Sequence, residues 1–278
     1  MVDVLLATYR PDARFLEAQL SSIRAQEGVD VNLVVREDVE GLGACANFAK
    51  LLDASKSEYV AFADQDDVWR KDKLLRSMGK MRELEKAYGS ETPMLVFTDS
   101  TVVDGDMREL CPSLFKWTKI DPSRLKPEQL VLQNVANGNT MLFNAALREK
   151  AKPIPDNAFM HDHWIMLVAS VFGGIGFLRE STVFYRQHGR NVIGGSKVAA
   201  GYFARKALGG RASLRKRLYA NIHQCQAFVD RYGESAPRSL RALASIEGRP
   251  WPLRVATLVR HRIFKFGLLR NFGTFLTI

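Results

Sequence analysis

The chain has 278 residues, of which 46% are hydrophobic and 25% are charged. That length suits one large domain or a domain with an appendage, and the composition excludes disordered, collagen-like and disulfide-knot proteins. The formal net charge of +10 indicates an anionic partner. The charge is unevenly distributed: residues 1–196 carry 24 basic and 27 acidic side chains, whereas residues 197–278 carry 16 basic and 3 acidic ones.

Three cysteines, Cys45, Cys111 and Cys225, lie far apart in the chain, and no pair has the spacing of a metal-binding motif. An odd number of scattered cysteines is a poor disulfide framework, so we expect a reducing, cytoplasmic environment. Residues 1–10 lack the basic segment and the apolar run of a signal peptide. No uncharged apolar stretch reaches the length of about 18 residues that a membrane span needs.

Residues 1–98 alternate short apolar runs with amphipathic segments. Uninterrupted apolar runs are typical of strands buried on both faces, and apolar positions three and four apart are typical of helices that pack on them. The patterns predict strands over 2–7, 31–35, 59–63 and 94–98 and helices over 15–26, 44–55 and 72–87. This alternation indicates an α/β fold with a parallel sheet.

The pattern after residue 104 is less regular. Residues 105–127 contain three prolines, so we expect a loop or an extended excursion there. The patterns then predict helices over 127–134, 144–151 and 161–172 and strands over 138–143 and 175–187. After Gly194-Gly195 the composition shifts to basic helices, which divides the chain into an α/β domain, residues 1–196, and a basic helical extension, residues 197–278.

Three carboxylates, Asp64, Asp66 and Asp67, follow directly after the predicted strand at 59–63. Ligands of parallel α/β sheets bind at the carboxyl ends of the strands. Carboxylates this close together repel one another unless a cation or hydrogen-bond donors compensate them. Mg²⁺ or Mn²⁺ would do so and leave coordination sites for phosphate oxygens. The alternative is a solvated acidic turn that caps the next helix.

A second polar segment, His161-Asp162-His163-Trp164, opens an apolar helix. Asp162 either acts as a general base in a pocket whose wall includes His161 and Trp164, or it only caps the helix. Arg186 and His188 follow the last predicted strand, where they could contact a phosphate and a metal ion or be structural. The dinucleotide fingerprint is absent, so we expect no nicotinamide site.

Seven segments, in order, carry a resemblance to a known family: VLLATYRPDARFLEAQLSSIRAQ, EGLGACANFAKLL, SEYVAFADQDDVWRKDKL, TDSTVVD, NGNTMLFNAAL, HDHWIMLVASVFG and YRQHGRNVIGG. Together they resemble family 2 glycosyltransferases of the glycosyltransferase-A fold, and most closely the rhamnosyltransferase-like branch. The resemblance runs over residues 2–195. It implies a Rossmann-like, mixed but mainly parallel sheet flanked by helices, with the basic helical extension outside it.

The resemblance also implies roles for the polar residues at the strand ends. Thr8 and Tyr9 would line the nucleotide pocket. Asp64 and Asp66 would contact the ribose and the metal–diphosphate, with Asp67 in support. The base that deprotonates the acceptor would be Asp162, the remaining metal ligand would be His188, and the residue facing the diphosphate would be Arg186. The residues beside the donor sugar or acceptor would be Gly138, Asn139 and Thr140.

One departure from the family pattern lies near residues 27–42. The family's second strand ends in an Asp-Asp-Gly-Ser-type turn, and a helix and third strand follow, whereas VNLVVRED here runs directly into VEGLGACANF. About one βα unit is missing. Either 31–35 is the second strand and Glu37-Asp38 replaces the turn, or it is the third strand and the second is deleted. We expect Asp38 to substitute for the missing carboxylate in nucleotide binding.

The resemblance implies a metal-dependent, inverting transfer of a sugar, rhamnose from dTDP-rhamnose in the first instance, to a hydroxyl of a cell-surface polysaccharide or lipid-linked acceptor. One alternative is a degenerate member that binds sugars or partners without catalysis. Another is a nucleotidyltransferase, although the glycine-rich phosphate loop of that class is not apparent in residues 7–11.

The basic extension ends in a segment with helical apolar spacing. Over residues 251–278 one arc contains Trp251, Val255, Leu258, Val259, Ile263, Phe266 and Leu269, with Arg254, Arg260, His261 and Lys265 at its borders or opposite. Such a helix suits an anionic membrane surface, which would place the protein at the inner face of the plasma membrane. Packing on the α/β domain is the alternative. We expect no nucleic-acid partner, because no recognised nucleic-acid module is present.

Overall fold

A computed structural model describes residues 1–187 and 211–278, so the predicted metal ligand His188 lies outside the described residues. The chain forms two compact units. The first consists of residues 1–119, 136–154 and 160–196, and the second of residues 120–135, 155–159 and 197–278. Among the described helices, none combines the length and apolarity needed to cross a bilayer.

The first unit is built on one eight-stranded sheet with the order β2-β1-β3-β7-β5-β8-β4, and β6 pairs with β5 beside this path. The strands are β1 Val2–Thr8, β2 Val31–Glu37, β3 Tyr59–Asp64, β4 Val68–Trp69, β5 Met94–Val103, β6 Glu109–Cys111, β7 Leu142–Asn144 and β8 Gly174–Arg186. The long pairings, β1 with β2 and β3 and β5 with β8, are parallel. The short strands β4, β6 and β7 pair antiparallel, so the sheet is mixed, as expected.

Six helices belong to the first unit and lie on both faces of the sheet. They are α1 Ala13–Arg24, α2 Ala44–Ala54, α3 Lys73–Tyr88, α4 Leu114–Thr118, α6 Ala145–Ala151 and α7 His161–Phe172. Successive residues of a strand point to opposite faces, and β3 shows the consequence. Ala61 and Ala63 pack into the core formed with α1 and α3. Phe62, between them, contacts Phe48 of α2 and His161 of α7.

Strand β2 pairs directly with β1, from Val2 opposite Val31 to Thr8 opposite Glu37. It ends the strand order of the sheet on this side, and no described strand lies beyond it. The pairing continues one residue further, because the Asp38 backbone N–H donates to the Thr8 carbonyl at 2.8 Å. Segment 31–35 thus occupies the place next to β1 that a second strand takes, and Asp38 occupies the turn after it.

Two sequence expectations about this unit were wrong in detail. The strand predicted at 138–143 is a 3-10 turn, Gly138–Thr140, followed by the short strand β7. The turn forms because the Thr140 and Met141 N–H groups donate to the Asn137 and Gly138 carbonyls. Residues 105–127, expected to be a loop or an extended excursion, contain β6 and α4. The Ser113 hydroxyl accepts the Lys116 N–H and starts α4, a signal too short to stand out beside three prolines.

The second unit is helical. Its described residues form the helices α5 Pro127–Leu130, α8 Arg211–Tyr232, α9 Arg238–Ala244, α10 Trp251–Arg260 and α11 Leu268–Thr277, and a 3-10 turn covers Gly233–Ser235. Side chains join its separate stretches of sequence. The Phe159 N–H donates to Gln224 of α8 at 2.9 Å, and the Phe266 N–H donates to Gln133 at 2.6 Å.

The single helical arc predicted over residues 251–278 is wrong, because α10 and α11 are separate helices. The chain reverses between them at Arg262 and Gly267, which have φ values of 54° and 96°. Both values are positive: Arg262 lies just after the end of α10, and Gly267 is the N-cap of α11. The break divides the predicted apolar arc: Leu258 and Ile263 are buried, whereas Trp251, Val259, Phe266 and Leu269 are exposed.

One lysine of the first unit lies in the apolar core. Lys73, at the start of α3, is fully buried, and its Nζ lies 4.0 Å from the centroid of the Trp69 ring. The ammonium has no hydrogen-bond partner among the described residues. Burial lowers the pKa of Lys73 from 10.5 to about 7, although the aromatic ring favours the charged form.

We predict that Lys73→Met removes a pH dependence of stability. Between about pH 7 and 10.5 the unfolded chain holds a proton on Lys73 that the folded chain has released. The free energy of unfolding therefore rises with pH across this window, by up to about 1.4 kcal/mol per pH unit for such a group. Chemical denaturation of wild type and Lys73→Met at several pH values measures the difference.

The control is Lys86→Met on the exposed side of the same helix, which should keep the wild-type pH dependence. If Lys73→Met and wild type gain equal stability between neutral and alkaline pH, the interpretation of Lys73 as a buried amine with a lowered pKa is wrong.

Candidate functional site

The acidic turn after β3 is joined to the loop after β1. Asp64 is the last residue of β3 and pairs with Ala7 in β1, so both strands end at this edge of the sheet. The Tyr9 N–H donates to Gln65 Oε1 at 2.7 Å, and Gln65 Nε2 donates to the Tyr9 carbonyl at 3.2 Å. Gln19 of α1 donates to the Asp64 carbonyl at 2.9 Å. These contacts fix the backbone of the acidic turn that carries Asp64 and Asp66.

Asp67 is the buried centre of the site, with 1% of its surface exposed. One carboxylate oxygen accepts a hydrogen bond from Asn139 Nδ2 in the 3-10 turn, and the other accepts the Arg186 backbone N–H at 3.0 Å. Burial and the charges of Asp66 and Asp64 raise the pKa of Asp67 well above its ordinary value, and the two donors oppose that rise. Asp67 thus joins three segments that are distant in sequence.

Arg186 adds a second connection between the same segments. Its side chain is buried, with Nε donating to the Asp66 carbonyl at 2.8 Å and Nη1 donating to the Gly105 carbonyl at 2.7 Å. The guanidinium also lies over the Phe15 ring, 4.3 Å from its centroid. In this arrangement Arg186 holds the backbone of the acidic turn.

Asp162 lies in the first turn of α7 and faces the acidic turn. Its Oδ2 accepts the Gly138 N–H at 3.2 Å, and its Oδ1 accepts the His163 N–H at 2.6 Å. Burial, together with the charges of Asp66 and Asp162, raises the pKa of Asp64 to about 7. The carboxylates are therefore close enough to repel one another. The N-cap of α7 is Met160, and Asp162 two positions later accepts a backbone N–H of the first turn, so a helix-capping role stays open beside the role of a base.

His161 fills the space behind Asp162. Its ring stacks on Phe48 with the centroids 3.9 Å apart, and Phe62 meets it edge-on at 4.8 Å. Both ring nitrogens are buried without a hydrogen-bond partner among the described residues, and burial lowers the pKa of His161 to about 3. A β-carbon on Gly138 would lie 3.0 Å from His161 Nε2 and 3.3 Å from Asp162 Cβ. His161 therefore packs against the site as a neutral ring.

Trp164 does not line a pocket, contrary to the sequence expectation. Its side chain is completely buried, and Nε1 donates to the Ala151 carbonyl at 2.9 Å. The helix buries every residue from His163 to Ala169, so an aromatic residue two positions after Asp162 points into the core. Asn139 and Thr140 are likewise buried, and the Thr140 hydroxyl donates to the Asn137 carbonyl at 2.8 Å.

The end of β1 carries the predicted nucleotide-pocket residues. Thr8 is buried, and Tyr9 is half exposed. Asp38 lies beside them, and its two oxygens accept the Leu42 N–H at 2.9 Å and the Gly43 N–H at 2.7 Å. Burial opposes ionisation of Asp38, but these backbone donors lower its pKa overall. Asp38 thus also orders the loop that leads into α2.

Sequence reasoning missed Gln65 and Gln19, which tie the loops together. Gln65 lies inside the acidic turn itself, so its position could have indicated a role at the site. The position of Gln19 gives no such indication, because a glutamine in the middle of a helix is usually solvated. Here it is fully buried, because α1 packs against the end of β3.

The donor set suits a hard divalent cation that is shared with a ligand. Asp64 and Asp66 offer carboxylate oxygens, and the charges of Asp66 and Asp162 help to raise the pKa of Asp64. Among residues 1–187 and 211–278, no group of three His, Cys, Asp or Glu side chains is arranged to hold a metal by itself. Two or fewer protein ligands are compatible with Mg²⁺ or Mn²⁺, which commonly take the rest from water and phosphate.

Comparison with known proteins gives a family match. Residues 15–149 match the family described as glycosyl transferase family 2. A relative from Bacillus subtilis (strain 168), named as a teichuronic acid biosynthesis glycosyltransferase, TuaG, is 33% identical over 82 residues. That alignment covers 30% of this chain and 32% of TuaG, so the chain spans about a third of its curated relative.

Two solved structures share the fold at low sequence identity. The crystal structure of S. aureus TarS 1-349 superimposes with a TM-score of 0.51 at 14% identity, covering 94% of this chain and 88% of that one. The mannosyltransferase PcManGT from Pyrobaculum calidifontis, in complex with GDP-Man and Mn²⁺, gives a TM-score of 0.52 at 17% identity, covering 99% and 78%. The mixed sheet with flanking helices is therefore the glycosyltransferase-A fold.

We predict that Gly138→Ala destabilises the protein by about 1–2 kcal/mol, because the new methyl group meets His161 and Asp162 at less than normal contact distance. The matched control is Gly79→Ala in the middle of α3, where nothing lies within 4 Å. That change should stabilise the helix by up to about 1 kcal/mol. Urea denaturation measures both, and a Gly138→Ala protein as stable as wild type would contradict the described packing.

Proposed function

We propose that this chain is a family 2 glycosyltransferase and transfers a sugar from a nucleoside diphosphate donor to a hydroxyl of a cell-surface polysaccharide or of its lipid-linked precursor. The observation that carries the proposal is the convergence of Asp64, Asp66 and Asp162 at the carboxyl edge of the sheet, where α/β sheets bind their ligands. The names of TuaG and of the sugar-nucleotide complexes of similar structures support it.

The nucleotide-sugar donor would bind to residues at the strand ends and in the acidic turn. Thr8 and Tyr9 border the position of the nucleotide, with Asp38 as the neighbouring carboxylate. Asp64 would contact the ribose and the diphosphate, and Asp66 would hold a divalent cation, to which His188 is a further candidate ligand. When bound, that cation would neutralise charge on the departing diphosphate.

Asp162 is the proposed general base. Its two backbone donors, from Gly138 and His163, hold the carboxylate in place. A carboxylate fixed opposite the leaving group can accept the acceptor's hydroxyl proton while the oxygen attacks the anomeric carbon. A single displacement of this kind inverts the configuration, and no covalent enzyme intermediate forms.

Asp67 and Arg186 are proposed to act through the backbone rather than on the substrate. The Asp67 carboxylate accepts hydrogen bonds from the Asn139 side chain and the Arg186 N–H. The Arg186 side chain donates to the carbonyls of Asp66 and Gly105. Preorganised donors and carboxylates reduce the reorganisation that the reaction would otherwise need. Rhamnose from dTDP-rhamnose is the donor that we propose first, on the sequence resemblance, with the reaction at the cytoplasmic face of the membrane.

A second candidate function is binding without catalysis. The observation that favours it is the early end of the sheet: β2 is the last strand in the order, so the nucleotide side of the site has one βα unit fewer than the family pattern. A chain that had lost base recognition could keep a sugar- or partner-binding surface. Donor turnover separates the two candidates.

The test uses Asp162→Asn in a panel of nucleotide sugars with and without Mn²⁺. Wild type should gain thermal stability with its donor only when Mn²⁺ is present, because a ligand that binds the folded state raises apparent stability. Asp162→Asn should keep that shift, but its rate of transfer should fall by about 10²–10⁴, since it loses the general base.

The matched control is Asp53→Asn on the exposed side of α2, which should keep both binding and transfer. Near-normal transfer by Asp162→Asn would refute the assignment of the base. A folded wild type that binds a nucleotide sugar but never transfers or hydrolyses it would favour the non-catalytic candidate.

A further inference from the structure

Helix α11 presents its most apolar residues to solvent. Leu268, Leu269, Phe272 and Leu276 are all exposed, Leu268 by 90% and Phe272 by 62%. Their spacing of three and four residues places them on one side of the helix. We call these four residues the apolar face of α11. A solvent-facing stripe of large apolar side chains is unusual on a soluble surface and marks an interaction site.

The opposite side of α11 is small and polar and packs within its own unit. The Thr274 and Thr277 hydroxyls donate to the carbonyls of Arg270 and Gly273, which satisfies them inside the helix. A β-carbon on Gly273 would lie 3.8 Å from Leu214 of α8. The helix is thus fixed with its polar side inward and its apolar face outward, the reverse of an ordinary packed helix.

Neighbouring apolar residues extend this surface. Trp251, at the start of α10, is 54% exposed, and its Nε1 donates to the Phe275 carbonyl of α11 at 2.9 Å. That bond holds the indole against the end of α11 while its ring remains accessible. Tryptophan with one apolar side and one hydrogen-bonded end is the residue that membrane interfaces favour.

The segment that carries the apolar face has charges of one sign. Residues 248–278 contain six lysines and arginines and no aspartate or glutamate. Arg260 and Arg262 are exposed, and in α8 the exposed cations Arg215, Lys216 and Arg217 directly follow Leu214, which borders α11. Each such cation near an anionic bilayer adds about 1 kcal/mol of attraction.

We infer that the apolar face of α11 inserts into an anionic lipid bilayer, with exposed arginines and lysines of the same unit on the phosphate headgroups. A second copy of the chain is the less suitable occupant, because pairing two such faces would bring together cations without anions to neutralise them. Ten residues of helix span only about 15 Å, so α11 would lie in the plane of the membrane rather than cross it. The inference concerns residues of the second unit and does not depend on the proposed reaction.

The experiment is co-sedimentation of the full chain with phosphatidylcholine vesicles, with and without phosphatidylglycerol. Wild type should bind the anionic vesicles, bind neutral ones at least tenfold more weakly, and lose affinity as salt is added. Leu269→Asn/Phe272→Asn should lower the affinity by at least about tenfold, since two large apolar side chains no longer insert. Arg260→Gln/Arg262→Asn should lower the affinity for anionic vesicles by about fivefold for each lost charge. Asparagine is chosen at position 262 because it tolerates the left-handed backbone there.

The matched control replaces two exposed apolar residues of the other unit, Tyr88→Ser/Leu110→Asn, and should bind as wild type does. Circular dichroism confirms that each variant is folded. Three outcomes overturn the inference: no binding to anionic vesicles, binding unaffected by Leu269→Asn/Phe272→Asn, or concentration-dependent dimerisation that this pair abolishes while vesicle binding persists.

Discussion

The architecture of the site depends on the buried carboxylate of Asp67. It accepts hydrogen bonds from the Asn139 side chain in the 3-10 turn and from the Arg186 backbone N–H in β8. Asp67 therefore connects the end of β3 to two segments that lie about 70 and 120 positions away in the chain. A buried charge is tolerated only where donors satisfy it. Because Asp67 requires both partners, it fixes the relative positions of the acidic turn, the Gly138 turn and the end of β8.

The like charges at the site follow from that arrangement. With the three segments fixed, Asp64, Asp66 and Asp162 lie close enough that burial and mutual repulsion raise the pKa of Asp64 to about 7. Such repulsion is costly in the free protein, and a bound divalent cation would relieve it. The same constraint explains why position 138 is glycine, since a side chain there would push Asp162 and His161 apart. The catalytic proposal thus rests on packing as much as on the acidic residues themselves.

Local patterns in the sequence predicted the regular part of the fold and the candidate carboxylates. Buried runs such as residues 59–63 read clearly as strands, and the acidic turn at the end of one predicted the site. Sequence patterns could not show contacts between residues that are distant in the chain. Examples are the hydrogen bond between Asp67 and Asn139 and the bonds of Arg186, whose N–H donates to Asp67 and whose side chain donates to the Asp66 carbonyl. The burial of Trp164 depends on such contacts as well. The prediction of one helical arc over residues 251–278 was wrong for a related reason. Apolar periodicity continued through residues 261–267, but the left-handed backbone at Arg262 and Gly267 splits the segment and turns Phe272 and Leu276 outward.

The most direct measurement of the central claim is hydrogen exchange by mass spectrometry on Asp67→Ala. If Asp67 holds the three segments together, residues 136–141 and 182–187 should lose protection together, by about tenfold or more, while β1 stays as protected as in wild type. Leu147→Ala, in α6, provides a variant of similar core burial for comparison. Unchanged protection of both segments in Asp67→Ala, with β1 intact, would contradict the account.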